Sequence, residues 1–110
     1  MSPGRRPNFT WLGHATVRID LPGGIVALID PFLEANPACP PEGRRFERLD
    51  LILITHAHGD HMADAVALAK RFRSLIVAQY DLCEWIALQG VARTSGMNLR
   101  GTQEVPALRA

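Results

Sequence analysis

The sequence contains four histidines, and none of them follows His61. Its two cysteines, Cys39 and Cys83, form no CxxC pair, and we expect reduced thiols because no export signal is recognisable. No apolar run reaches the roughly 20 residues that a membrane span needs, and no apolar h-region follows the N-terminal arginines. These absences argue against a disulfide scaffold, a secreted protein and a membrane protein, and they favour a cytoplasmic one.

A strong charge of either sign is also absent, since 12 Lys and Arg residues face 11 Asp and Glu residues. A net charge of +1 gives no electrostatic reason to expect nucleic acid or an anionic membrane as a partner. With 47% hydrophobic and 21% charged residues, the composition is that of a soluble globular protein. A chain of 110 residues is one domain or part of one; we expect a flexible lead-in over residues 1–8 and the domain over 9–110.

The apolar pattern predicts strands first and then strands that alternate with helices. In chain order it gives a strand over 9–21 with an irregularity at Gly13, a turn at 22–24, a strand over 25–30, a loop over 34–48, a strand over 49–55, an amphipathic helix from Asp60, a strand over 74–79 and a helix over 80–89. The order β-β-loop-β-α-β-α predicts an α/β class, with helices packed on a sheet. From Val91 onward the pattern weakens, and residues 91–93 are the candidate start of a further strand.

Three of the four histidines lie in "HAHGDH", at the carboxyl end of a buried strand and the start of a helix. Open α/β sheets bind ligands at such junctions. His56 and His58 are two positions apart and can face one side, Gly59 permits a sharp bend, and Asp60 and His61 can fold back towards the same space. Imidazole nitrogen and carboxylate oxygen suit zinc, iron, manganese or nickel. The cluster therefore predicts a metal site.

Each of these residues taken alone also has a purely structural explanation. Asp60 can be the N-cap of the helix, and single histidines near helix starts are common as surface residues. The four residues together at one strand-to-helix junction make chance a poor explanation. We therefore favour the metal site.

The stretch "THAHGDH" matches the His-x-His-x-Asp-His motif of the metallo-β-lactamase superfamily. "WLGHATVRI", "LIDPFLEANP" and "GMN" resemble a branch of small metal-dependent hydrolases related to the L-ascorbate-6-phosphate lactonases. The resemblance spans about residues 9–100. It implies an αββα sandwich, of which this chain would hold an incomplete N-terminal half, and two metal ions, usually zinc, with manganese, iron or nickel as alternatives.

The resemblance also implies roles for the cluster. His56 and His58 would bind the first metal, and Asp60 and His61 the second, which makes Asp60 the catalytic carboxylate of this half. A water or hydroxide shared by the two metals would then attack a small ester, lactone or phosphoester. The partner would be a small-molecule substrate, without nucleic acid or membrane.

Two further residues match the family near this site. Asp30 in "LIDP" could orient a ligand histidine by accepting its second N–H, or it could only make a local turn before Pro31. His14 in "LGHAT" could line the pocket, or it could be satisfied by the backbone at a strand irregularity.

Other polar residues near these motifs carry weaker expectations. Asn98 in "GMN" matches the family without a role that we can derive. In the long loop Cys39 is a soft metal ligand in principle, but we expect it to be incidental, and we expect Arg44 and Arg45 to be a solvated charge pair rather than contacts for an anionic substrate.

The superfamily pattern requires more ligands than this sequence contains. It calls for a third histidine on the first metal, a bridging carboxylate and a last histidine on the second, whereas the acids after His61 fall on helices or in the tail: Asp64, Asp81, Glu84 and Glu104. Three interpretations follow. The chain is the N-terminal part of a longer hydrolase, which we favour; it is a non-catalytic metal-binding or interaction module that forms a homo-oligomer; or it is a nuclease, which the charge balance and the few aromatics disfavour.

Overall fold

The computed structural model describes residues 6–56 and 64–97. These residues form the strands β1 (Asn8–Trp11), β2 (Val17–Asp20), β3 (Val26–Ile29) and β4 (Leu51–Leu53), the helix α1 (Ala65–Phe72), the strand β5 (Leu75–Gln79), the helix α2 (Tyr80–Leu88) and the strand β6 (Thr94–Met97). A short 3-10 helix, Pro41–Arg44, lies between β3 and β4. The expected α/β class is confirmed.

The six strands form one sheet in the order in which they occur along the chain. The pairs β1–β2 and β2–β3 are antiparallel, and β3 to β6 are parallel to one another. The carboxyl ends of the four parallel strands therefore meet at one edge of the sheet. The turn between β1 and β2 lies at the same edge, because Val17 at the start of β2 pairs with Ile29 at the end of β3.

The single strand predicted over residues 9–21 was wrong, since the chain reverses in the middle of it. Gly13 (φ 98°) and His14 (φ 54°) adopt left-handed conformations that turn the backbone. The turn is closed by a hydrogen bond from the Leu12 N–H to the Thr16 carbonyl (2.9 Å) and by one from the Thr16 N–H to the Gly13 carbonyl (3.0 Å). Apolar alternation continues on both sides of the turn, so periodicity alone does not reveal the reversal.

One face of the sheet carries the helices and the larger part of the core. Leu28, Ile52 and Ile76 are neighbours across β3, β4 and β5, and each is fully buried. They pack in one cluster with small or apolar residues of the two helices, among them Ala65 and Ala69 of α1 and Cys83 and Ile86 of α2. The predicted packing of helices on a sheet is thereby confirmed.

The opposite face of the sheet is also apolar. Ala27, Leu51 and Leu75 form one row across β3, β4 and β5 and are buried, with Val77 beside them. In the described part of the chain, neither α1 nor α2 contributes to this second cluster. This two-sided burial explains the continuous aliphatic run of "LILI", and it is the pattern of a half of an αββα sandwich.

The remaining predicted boundaries hold to different extents. The strand predicted over 74–79 and the helix predicted over 80–89 are β5 and α2. The strand predicted over 49–55 is the shorter β4, Leu51–Leu53. The predicted start of the first helix at Asp60 lies outside the described residues, and so does the tail from residue 98. None of the helices in the described ranges is long and apolar enough to span a membrane.

The last strand, β6, lies three residues beyond the candidate start at Val91. Its sequence, "TSGM", has no apolar alternation, but it pairs along its whole length with β5. Gly96 allows the start of α2 to lie close to this strand, since a Cβ there would lie 2.9 Å from the Cα of Tyr80. The strand is therefore defined by its neighbours rather than by its own pattern.

Candidate metal centre

The candidate site lies at the carboxyl edge of the parallel strands. Asp30 directly follows β3, and Thr55 and His56 come two and three residues after the end of β4. Because β3 and β4 are parallel neighbours, these residues lie side by side. This is the edge at which α/β sheets bind ligands, as the sequence predicts for the histidine cluster.

The carboxylate of Asp30 reaches across to the neighbouring strand. Asp30 is only 2% exposed, and its two oxygens accept hydrogen bonds from Thr55, one from the backbone N–H at 2.7 Å and one from the hydroxyl at 2.6 Å. The backbone of Asp30 is held in turn, because its N–H donates to the carbonyl of Leu53 at 2.8 Å. Its φ of 48° is left-handed, a conformation that Asp tolerates better than most residues.

Thr55 connects this buried carboxylate to the first histidine of the cluster. The Thr55 hydroxyl oxygen lies 2.9 Å from Nδ1 of His56, whose side chain is exposed. Asp30, Thr55 and His56 thus form a chain of hydrogen bonds from the interior to the surface. Sequence reasoning missed Thr55, although the hydroxyl residue directly before the first histidine of "THAHGDH" was the available signal.

His14 lies at the same edge, on the turn between β1 and β2. Its ring meets the ring of Phe32 edge-on, with 5.7 Å between centroids and 84° between planes. Thr16 ties this turn to the segment after β3, because its hydroxyl donates to the Asp30 carbonyl (2.6 Å) and accepts from the Phe32 N–H (3.1 Å). His14 therefore lies at the edge of the sheet that carries Asp30 and His56, and its role in lining the pocket stays a prediction.

Asp64 anchors the start of α1 to the segment that follows β3. One of its carboxylate oxygens accepts the backbone N–H of Leu33 at 2.6 Å and that of Glu34 at 3.3 Å, and the Asp64 N–H donates to the Pro31 carbonyl at 3.2 Å. Asp64 occupies the N-cap position without capping its own helix by its side chain. His56 and Asp64 are consequently each linked by hydrogen bonds to residues that follow β3, His56 through Thr55 to Asp30 and Asp64 directly to Leu33 and Glu34.

The long loop between β3 and β4 is ordered by a buried amide. Asn36 is 1% exposed, its amide nitrogen donates to the carbonyls of Leu12 (3.3 Å) and Phe32 (2.9 Å), and its side-chain oxygen accepts the Ala38 N–H (3.0 Å). The loop therefore packs against the β1–β2 turn and holds the segment after β3 in place.

One expectation for this loop needs revision. Arg44 is not a solvated charge, because it is half-buried and donates to the Asn36 carbonyl at 3.1 Å; Arg45 is exposed, as expected. Cys39 is a buried core residue. Burial raises the pKa of the Cys39 thiol, and burial likewise raises that of Cys83. Both cysteines are free thiols.

Of the four predicted ligands, only His56 belongs to the described residues. His58, Asp60 and His61 lie outside them, as does Asn98. Within residues 6–56 and 64–97 no group of three or more His, Cys, Asp or Glu side chains could hold a metal ion. The part that is described nevertheless fits a metal ligand, because the other ring nitrogen of such a histidine is normally held by a hydrogen bond, as Thr55 holds Nδ1 of His56.

Comparisons with known proteins show which family the chain matches. The chain matches the model of the family described as the beta-lactamase superfamily domain over residues 26–107. It is 46% identical to a UPF0173 metal-dependent hydrolase of Roseiflexus sp. (strain RS-1), over 97% of this chain and 46% of that protein. It is 47% identical to another protein of that name from Pyrococcus furiosus, over 86% of this chain and 41% of the relative.

A solved structure shares the fold. The metallo hydrolase Igni18 of Ignicoccus hospitalis superposes with a TM-score of 0.77 at 23% identity, over 92% of this chain and 43% of that one. The chain thus spans less than half the length of the relatives that it matches. Since the family model matches most of the chain, and the fold and the motif agree with it, this protein belongs to the metallo-β-lactamase superfamily.

Proposed function

We propose that this chain supplies one half of the metal centre of a metal-dependent hydrolase that acts on a small ester, lactone or phosphoester. The observation that carries the proposal is the hydrogen-bonded chain from Asp30 through Thr55 to His56 at the carboxyl edge of the sheet. A buried carboxylate that orients a histidine through its non-ligating nitrogen is the arrangement that supports metal-bound histidines in proteins.

His56, together with His58, Asp60 and His61, would hold the metal ions. Zinc fits these nitrogen and oxygen ligands, and manganese, iron or nickel are alternatives. When bound, the metal lowers the pKa of a coordinated water and stabilises negative charge that develops on the carbonyl or phosphoryl oxygen. The chain has no histidine after His61, so we expect the remaining ligands to come from outside these 110 residues.

The described residues would contribute positioning rather than proton transfer. Asp30 and Thr55 would hold the ring of His56 by hydrogen bonds, and Asp64 holds the start of α1 against the backbone of Leu33. With its ring already held, His56 has less conformational freedom to lose when a metal binds. His14 and Phe32 would form a wall of the pocket beside them.

The Roseiflexus relative allows a direct test. We would replace its matched segment with this chain and assay the chimera, beside the unaltered relative, on a panel of aryl esters, lactones and phosphodiesters with added zinc or manganese. We expect the chimera to hydrolyse at least one substrate and a chelator to abolish this activity. We expect His56→Ala to lower the activity by more than the roughly 10- to 100-fold that is typical when a hydrogen-bond partner of a metal ligand is lost. A folded chimera that hydrolyses equally well with His56→Ala would contradict the proposal.

The apolar second face of the sheet favours a second candidate, a non-catalytic metal-binding module that dimerises. Ala27, Leu51, Leu75 and Val77 would then pack against the same residues of a second copy, as two sheets pack in a sandwich. The same preparations distinguish the candidates. If the chain is such a module, we expect the isolated chain to bind metal and to sediment as a dimer. We then also expect the chimera to turn over none of the substrates on the panel.

A further inference from the structure

We propose that Thr55 is a positioning residue that sets the tautomer of His56, so that Nδ1 carries the ring proton and Nε2 is the nitrogen offered to a metal. The inference rests on the proposed function only for the identity of the metal ligand. The tautomer itself follows from the hydrogen bonds around Thr55 and can be measured without any metal.

The hydroxyl of Thr55 has a single proton, which can be donated only once. Its oxygen lies 2.6 Å from one carboxylate oxygen of Asp30 and 2.9 Å from Nδ1 of His56. A carboxylate accepts hydrogen bonds and has no proton to give, whereas a neutral imidazole nitrogen can be either donor or acceptor. The hydroxyl proton therefore goes to Asp30, and the contact with His56 requires a proton on Nδ1.

The direction of these hydrogen bonds is fixed because the carboxylate of Asp30 is held in one orientation. Its other oxygen accepts the Thr55 N–H at 2.7 Å, so the two oxygens hold the backbone and the hydroxyl of the same residue. The Asp30 N–H is bonded to the carbonyl of Leu53, and the Asp30 carbonyl accepts the hydroxyl of Thr16 at 2.6 Å. Thr55 is itself β-branched, which restricts its χ1 rotamer.

The position of the ring proton decides which nitrogen of His56 can bind a metal. A neutral imidazole protonated at Nδ1 keeps its lone pair on Nε2. The Asp30 carboxylate, which is two hydrogen bonds away from the ring, also makes Nε2 a stronger electron-pair donor, because charge-assisted hydrogen bonds polarise their neighbours. Thr55 thus transmits the charge of the buried Asp30 to the ring of His56, and loss of either residue changes which nitrogen is presented.

Two substitutions separate this role from mere packing. Thr55→Val keeps the shape of the side chain and the N–H bonded to Asp30, but it removes the acceptor for Nδ1. Asp30→Asn keeps Thr55 intact and reverses the direction of the hydrogen bond between the two side chains. The asparagine oxygen must accept the Thr55 N–H, so the asparagine NH₂ donates to the Thr55 hydroxyl oxygen. The Thr55 proton is then free to be donated to Nδ1 of His56, which moves the ring proton to Nε2.

The experiment is a long-range ¹H–¹⁵N spectrum of the histidine rings in the metal-free chain, at a pH where His56 is neutral. We expect a protonated Nδ1 and an unprotonated Nε2 in the wild type and in Thr55→Ser, which retains the hydroxyl. In Asp30→Asn the two ¹⁵N shifts should exchange, and in Thr55→Val they should move towards each other or exchange. Backbone amide spectra of β3 and β4 show whether each variant is folded.

The proposal is overturned if the wild-type ring carries its proton on Nε2, or if folded Thr55→Val and Asp30→Asn retain the wild-type ring shifts. Zinc titration adds a second readout, with affinity about 10- to 100-fold lower in Thr55→Val and unchanged in Thr55→Ser. If the tautomer shifts as expected but no variant binds zinc, the proposed function fails and the role of Thr55 stands.

Discussion

Asp30→Ala is expected to lower the free energy of unfolding by about 3 kcal/mol, because two hydrogen bonds to a buried charged group are lost together. Alanine leaves the Thr55 N–H without its acceptor at 2.7 Å and the Thr55 hydroxyl without its acceptor at 2.6 Å. The left-handed φ of 48° adds to the cost, since alanine does not tolerate this conformation as aspartate does. Urea denaturation followed by circular dichroism measures the effect.

Asp30→Asn is the matched control for this loss. Asparagine has the same shape, tolerates a left-handed backbone and can still accept the Thr55 N–H, so we expect a loss of only about 1 kcal/mol. Equal stabilities for the wild type and Asp30→Ala would show that the carboxylate does not hold β3 and β4 together. A loss of the same size in both variants would assign the effect to charge rather than to the lost acceptor.

Gly13→Ala is expected to cost about 3 kcal/mol, the sum of a backbone and a packing penalty. Gly13 has a φ of 98°, and a Cβ placed there would lie 2.7 Å from the Cβ of Ala38 and 3.0 Å from the amide nitrogen of Asn36. The turn would have to move away from the loop that Asn36 organises, and with it His14 and Thr16. Thermal unfolding of the purified variant measures the loss.

Gly23→Ala isolates the backbone part of that penalty. Gly23 has a φ of 85°, similar to that of Gly13, but a Cβ there would meet nothing within 4 Å. We expect a cost of about 1 kcal/mol from the left-handed conformation alone. If Gly13→Ala were no worse than Gly23→Ala, the close approach between the β1–β2 turn and the loop at Asn36 and Ala38 would not contribute to stability.

The parts of the fold that the sequence predicts well are those set by local pattern. The aliphatic run that contains β4 is buried on both faces, and the alternation of β5 and α2 follows directly from residue type and spacing. The histidine motif was recognisable because its residue types and their spacing are specific, and the family match over residues 26–107 confirms the resemblance. The assignment of His56, His58, Asp60 and His61 as ligands stays a prediction.

The parts that sequence pattern missed depend on contacts between distant residues. The turn at Gly13 and His14 interrupts a stretch whose alternation looks continuous, so one strand was predicted where two exist. Asp64 reaches back by about thirty positions to the backbone of Leu33, a contact that no local pattern encodes. Asn36 likewise organises its loop through the carbonyls of Leu12 and Phe32.

The central claim is that the end of β4 and the residues before α1 supply part of a metal centre. The metal content of the purified chain tests this claim most directly. Inductively coupled plasma mass spectrometry would be applied to the wild type and to a His56→Ala/His58→Ala double variant, after equilibration with zinc and desalting, with the oligomeric state recorded. We predict that the wild type retains about one zinc ion per chain and that the double variant retains none. A wild type without retained metal, or a double variant that retains as much as the wild type, would contradict the account.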